Sequence, residues 1–151
     1  MIDLWPDNLG DGTGRAPAAI LREQARHLEN KTNKMLTGRI EPSFLPKLSV
    51  REKFGSDEDL FMYEFHLEAP ILDYYRNNLF TIFHGIGLYP VIIHTDEAIR
   101  KEFFRDAGHL TADNEEEFLE ILKNIFCSEK AVSIINSILA QVKEGLPNSS
   151  F

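Results

Sequence analysis

Glu64, His66 and Glu68 alternate within "EFHLE", and residues that alternate along an extended strand share one of its faces. A histidine takes up or releases a proton near neutral pH, and flanking carboxylates favour its charged form and orient the ring. The trio is therefore the best catalytic candidate in the chain. His84 is its one possible recruit from a neighbouring strand, which would make a metal-assisted or acid–base hydrolase centred on His66 and His84. Residues two apart on a strand stand about 6.6 Å from one another, so convergence of all three on one ion requires local distortion. A solvated polar face is the simpler account of the same pattern.

The second histidine pair, His84 and His94, lies in "LFTIFHGIGLYPVIIHTDE". If Gly85 to Leu88 form the turn of a hairpin, His84 pairs with Tyr89, Ile82 with Val91 and Phe80 with Ile93, and His94 falls opposite Leu79. The two rings are then about 17 Å apart along the ribbon and on opposite faces, far from shared coordination of zinc. For His84 the expectation is a hydrogen-bonded role at a strand end. For His94 and His109 it is a loop role.

The known chemical signatures fail on spacing. There is no histidine pair at i and i+4 around a glutamate. "DGTG" at Asp11 to Gly14 has no following lysine with serine or threonine, and lacks the acidic ladder of a calcium loop. "FHGIG" has no serine elbow. Cys127, the single cysteine, excludes an internal disulfide and a cysteine-based zinc cage, and is expected to pack at a helix junction. No cofactor or metal set is indicated.

"LDYYRNN" offers recognition chemistry instead. Tyr74 and Tyr75 supply stiff contact area and Arg76 a directional donor fork, which suits an interaction surface.

These residues must be positioned by a recognisable order of elements. Pro17 suits the first turn of a helix running to about Leu36, with Leu21, Ala25, Leu28, Thr32 and Met35 inward and Gly38 as a stop. "TGRIEPSFL" reads as an edge strand, because Pro42 and Pro46 cannot donate to an interior ladder. "LSVREKF" and "LFMYEFHLEA" alternate as an antiparallel pair around an acidic turn. Residues 71 to 84 and 88 to 94 give a long strand and its hairpin partner, with a change of apolar parity in "ILDYYRNNLF" that signals a bulge or break.

Thr95 is placed to cap a short helix to about Arg105, which Gly108 follows. Asp113 with Glu116 is placed as a capping box for a helix presenting Phe118, Leu122, Ile125 and Phe126. Ser128 is placed to cap a last helix with Val132, Ile135, Leu139 and Val142 inward. Helix, strands, helices in that order predict an α+β fold: an antiparallel sheet of about four or five strands, with an N-terminal helix and two or three C-terminal helices mainly on one face. One domain over 1–151 is expected, irregular at about 1–16 and 144–151.

Composition bounds what such a fold can do. A chain of 151 residues buries roughly 68 to 70% of its unfolded surface, so an ordinary core suffices. Sixteen basic against twenty-four acidic residues leave a formal charge of −8, which disfavours nucleic acid and anionic lipid. Arg22, Arg26 and Lys34 are too scattered to form a compensating basic patch. "MIDLWPDNLG" has neither the basic start nor the apolar run of a signal peptide, and no segment approaches about 18 apolar residues. The expectation is a small acidic cytoplasmic protein that works by noncatalytic protein–protein interaction, as a homo-oligomer or a regulatory partner, with Tyr74, Tyr75 and Arg76 in contact.

Overall fold

Pro17 needs no amide partner at a helix start, and Ala18, Ile20, Leu21 and Ala25 recur on one side of the turns that follow. In the computed structural model, which describes residues 1–10, 15–45, 58–103 and 110–144, these residues form helix α1, Pro17–Lys31. The "DGTG" segment, the strand expected at 48–54, Gly108, His109 and the chain after 144 lie outside the described residues.

Helix α1 ends earlier than its periodicity suggests. The Thr32 hydroxyl donates to the Leu28 carbonyl at 2.9 Å and accepts the Leu36 amide at 3.1 Å. Asn33 and Lys34 then turn through positive φ, 51° and 66°. Gly38 is thus no helix stop; it lies inside the next strand, directly under α1. A Cβ there would stand 2.6 Å from the Cβ of Ala25 and 2.9 Å from the Phe65 ring. Glycine is required for the close approach of helix to sheet.

Five strands follow: β1 Thr37–Leu45, β2 Leu60–Ala69, β3 Tyr75–His84, β4 Val91–Thr95 and β5 Leu110–Ala112. They form one antiparallel sheet in chain order, so β1, with Pro42 in it, is an edge strand as that proline requires; Pro46 lies outside the described residues. Helix α2, Glu97–Phe103, joins β4 to β5, and α3, Glu115–Phe126, and α4, Glu129–Lys143, complete the fold. The architecture is α+β, with the N-terminal and C-terminal helices sharing a core with one side of the sheet.

That core is explained by strand parity. On β2, Phe65, Leu67 and Ala69 face the helices, opposed by Phe80 and Ile82 of β3 and continued by Val91 and Ile93 of β4. From the helices come Ile20 and Leu21, Ile99, Phe118, Leu122 and Ile125, and Ala131, Ile138 and Val142. Phe65 and Phe80 stack at 5.0 Å, and Phe126 tilts against both. Each such aromatic contributes about 1.5 to 3 kcal/mol by burial.

The parity change in β3 has two physical sources. The chain first breaks: Pro70–Leu72 form a single 3-10 turn, and Asp73 and Tyr74 follow at φ 56° and 59°. Phe65 then pairs with Phe80 while His66 pairs with Asn78, leaving Leu79 as the extra residue of a β-bulge. The bulge lets Leu79 and Phe80 both enter the core, at 2% and 0% exposure. The Thr95 hydroxyl donates to the Leu79 carbonyl at 3.0 Å, which satisfies an acceptor that the bulge takes from the ladder.

Thr95 therefore closes β4 and does not cap α2; Asp96 does, accepting the Ala98 amide at 2.7 Å. At α3 the cap falls one residue beyond Asp113. Asn114 accepts the Glu117 amide at 2.9 Å, and the Glu117 carboxylate accepts the Asp113 amide at 2.9 Å. Ser128 caps α4 as expected, accepting from Ala131 at 3.1 Å. Val132 turns outward at 42% exposure, and Ala131, Ile138 and Val142 take the buried positions. Cys127 is exposed, because the adjacent Ser128 occupies the buried junction.

Among the described residues no single helix is long and apolar enough to cross a membrane. Helices α3 and α4 reach that apolarity only together, and the chain bends by 54° between them.

Candidate functional site

The side of the sheet away from the helices carries the even-numbered residues of β2: Met62, Glu64, His66 and Glu68. Register places Arg39 beside His66 and Glu41 beside Glu64 on β1, and Asn78 beside His66 and Arg76 beside Glu68 on β3. Three strands thus set three carboxylates, two guanidinium groups and one imidazole on a common face.

These groups interlock. Glu41 accepts from Arg39 Nε at 2.9 Å and also from Arg76 Nη1. The hydrogen bond from Arg39 holds the Glu41 carboxyl below the usual carboxylate range, reinforced by the charge of Arg76, while partial desolvation opposes the shift. In turn, the hydrogen bond to Glu41 and the charge of Glu68 raise the Arg39 guanidinium.

Glu68 lies deepest, its side chain only 8% exposed. Its Oε2 is 3.1 Å from Arg76 Nε and 3.9 Å from Arg39 Nε, yet no hydrogen bond points at that oxygen. The contact is an ion pair by distance and not a hydrogen bond by angle, so this oxygen is held by charge and not by a directed donor.

Glu64 and His66 do meet: Nε2 of His66 lies 3.1 Å from Glu64 Oε1. Because a carboxylate only accepts, Nε2 carries the proton in this contact. Nδ1 is buried without a hydrogen-bond partner.

His84 does not join them. It pairs with Phe61, an odd number of residues from His66 on β2, and so projects on the helix side of the sheet. There it is 4% exposed, stacked 5.8 Å from Tyr63, with Nδ1 donating to the Gly85 carbonyl at 2.8 Å. His66 and His84 stand on opposite faces, and the convergence that a hydrolase centred on them requires is not formed. His84 instead fills the hydrogen-bonded strand-end role.

The hairpin register itself is shifted by two residues from the four-residue turn. His84 pairs with Val91 and Thr81 with His94, because the loop spans Gly85 to Pro90. The shift by two preserves parity, so His84 and His94 still face opposite sides. His94 is a strand residue and not a loop residue, its ring edge-on to Phe83 at 5.1 Å.

The recognition trio is split three ways. Tyr74 sits at the left-handed turn, 63% exposed. Tyr75 projects toward the helices, where it lines a groove of about 300 Å³ with Leu72, Lys130, Ile134, Ile138 and Gln141. Arg76 projects to the open face and joins the ion network. Sequence reading missed Arg39, Glu41 and Lys130. The alternation in "TGRIE" marks Arg39 and Glu41 as one face, but only strand register reveals what they meet.

Among the described residues no group of three or more histidine, cysteine, aspartate or glutamate side chains is arranged to hold a metal ion. Fold and site define an α+β protein with a charge-laced open sheet face. Comparison with known protein families, curated proteins and solved structures finds no significant match to this chain.

Proposed function

We propose that the protein is a noncatalytic binding module whose open sheet face docks a partner protein. The observation that supports this reading is the cross-strand network in which Glu41 bridges Arg39 and Arg76 above the buried Glu68. Side chains already held by one another lose less conformational freedom when a partner arrives. Charges of both signs at fixed positions also set register and reject mismatched surfaces.

The partner's chemistry follows from the balance of charge. Three carboxylates against two guanidinium groups leave an acidic excess on the face, and the chain as a whole carries −8. A partner with a predominantly basic, mixed-charge surface fits both. The expected association is steered by charge and weakened by salt.

Affinity capture with the native protein and with a Glu41→Gln, Glu64→Gln variant tests the proposal. A partner held by the native chain, released by added salt and lost by the variant supports the face as the docking surface. A partner held equally by both, with no salt dependence, refutes it.

A further inference from the structure

Helix α4 carries a polar stripe beside its apolar one. Lys130, Ser133, Ser137 and Gln141 recur at intervals of three and four, next to Ile134 and Ile138, so all six share one side of the helix. Opposite them stand Tyr75 and Asn77, alternate residues of β3 that point to the helix side because they pair with Ala69 and Leu67. Leu72 of the 3-10 turn completes the wall, and the left-handed pair Asp73 and Tyr74 carries the chain from it into Tyr75. The groove so formed holds about 300 Å³. That is the lower end of the small-molecule range, about 300 to 1,000 Å³.

Tyr75, Asn77, Lys130, Ser133, Ser137 and Gln141 thus bring six polar side chains to one concavity. Among the described residues none of the six makes a side-chain hydrogen bond or ion pair. Even the two serines leave their own helix carbonyls alone, although a serine inside a helix commonly bonds back to them. By contrast, Thr32, Thr95, Asn114 and Ser128 each spend their side chain on the backbone. The polar groups of the groove do no such work for the fold.

Their chemistry selects a ligand class. Amide and hydroxyl side chains donate and accept at once, as do the hydroxyls of a carbohydrate. Tyr75 with Leu72, Ile134 and Ile138 offers apolar area to the carbon face of a ring. Lys130 is the only charged lining residue, a cation in a chain of net charge −8, and its ammonium is a compact donor to an anion. The volume suits one ring and not an oligomer.

We infer that this groove binds a small anionic carbohydrate, one polyhydroxylated ring bearing a phosphate or a carboxylate. The anion meets Lys130, the ring hydroxyls meet Asn77, Gln141 and the two serines, and the ring face lies on Tyr75. The groove is on the helix side of the sheet and uses none of the open-face residues, so this site and the docking surface stand or fall separately.

Amide NMR titration of the full chain with glucose 6-phosphate and with glucuronate tests the inference, with glucose and inorganic phosphate as the separated parts. At least one anionic sugar is expected to saturate below about 10 mM. It should shift the backbone amides of Tyr75, Asn77, Ser133 and Ser137 and the side-chain amides of Asn77 and Gln141. Tighter binding of one sugar supports the inference and identifies the anion. Glucose and phosphate alone should each bind about tenfold more weakly or worse. Lys130→Gln, at an exposed position, should reduce the anionic sugar to the level of glucose with unchanged far-UV circular dichroism. Gln141→Ala, also exposed, should weaken both. Saturation by neither sugar, or shifts that map away from the groove, overturns the inference. So does equal binding by Lys130→Gln, or phosphate alone binding as tightly as the whole sugar.

Discussion

Glu41 on the edge strand and Arg76 on the third strand form an ion pair although β2 runs between them. The pair spans the strand that carries Glu68, and Arg76 also lies 3.1 Å from that buried carboxylate. One guanidinium thus joins an exposed carboxylate to a buried one, and the two ends of its reach have different consequences.

Removing Arg76 is expected to destabilise the protein through Glu68. In Arg76→Ala the carboxylate keeps, among the described cations paired with it, the more distant Arg39, at 3.9 Å. An under-compensated buried polar group costs about 1 to 3 kcal/mol. Urea unfolding should show this loss, and Arg76→Ala combined with Glu68→Gln should recover much of it. Equal losses in the single and double variants would show that burial of the Glu68 charge is not the cause.

Glu41 carries a pH dependence of definite sign. Its folded carboxyl is held low by the Arg39 hydrogen bond and by Arg76, so its contribution is present above the unfolded carboxylate value of about 4.3 and is lost as pH falls through the folded value. Carboxyl-carbon NMR should find Glu41 titrating below the ordinary glutamate range. Arg39→Gln should move it upward, and the absence of that movement would contradict the assigned cause.

Tyr89 shifts in the other direction, raised first by burial and then by the Glu115 carboxylate. Its neutral form is favoured on folding, so its contribution is intact below about 10 and is lost as pH rises through the higher folded value. Ultraviolet titration of native protein and Tyr89→Phe should differ by one phenol ionising above the usual tyrosine range. Glu115→Gln should lower that ionisation.

Gly38→Ala places a methyl 2.6 Å from the Ala25 Cβ and 2.9 Å from Phe65. Separation of α1 from the sheet, or displacement of Phe65, is expected to cost about 1 to 3 kcal/mol. Ala25→Gly in the same chain should return part of this, despite its own helix penalty of about 1 kcal/mol. A fully stable Gly38→Ala protein would show that the helix yields at no cost.

Thr95→Val retains shape and removes the hydroxyl that serves the Leu79 carbonyl. Loss of one such hydrogen bond is worth about 0.5 to 1.5 kcal/mol. Hydrogen exchange should localise the loosening to the bulge between β2 and β3; loosening confined to the start of α2 would instead restore Thr95 to a capping role.

Alternation and helical periodicity, both local properties, were sufficient for the α+β class and the apolar face of α3, as were the missing amide of proline for the edge placement of β1 and the short hydroxyl side chain for the Ser128 cap. They also marked the parity change in "ILDYYRNNLF", because two adjacent inward side chains break a two-residue repeat wherever they occur. The opposite facing of His84 and His94 was legible for the same reason: a register error of two leaves parity intact.

Register, close approach and three-dimensional neighbours were decided only by tertiary structure. Three-residue β5 is too short to show a period, and Gly38 reads as a helix stop until α1 is seen lying on it. Tyr75 and Arg76 adjoin in the chain but face opposite sides of the sheet, and Arg39, Glu41 and Arg76 meet only once three strands are in register. Side-chain direction along one strand follows from covalent geometry, whereas the partner a side chain meets follows from how separate strands pack.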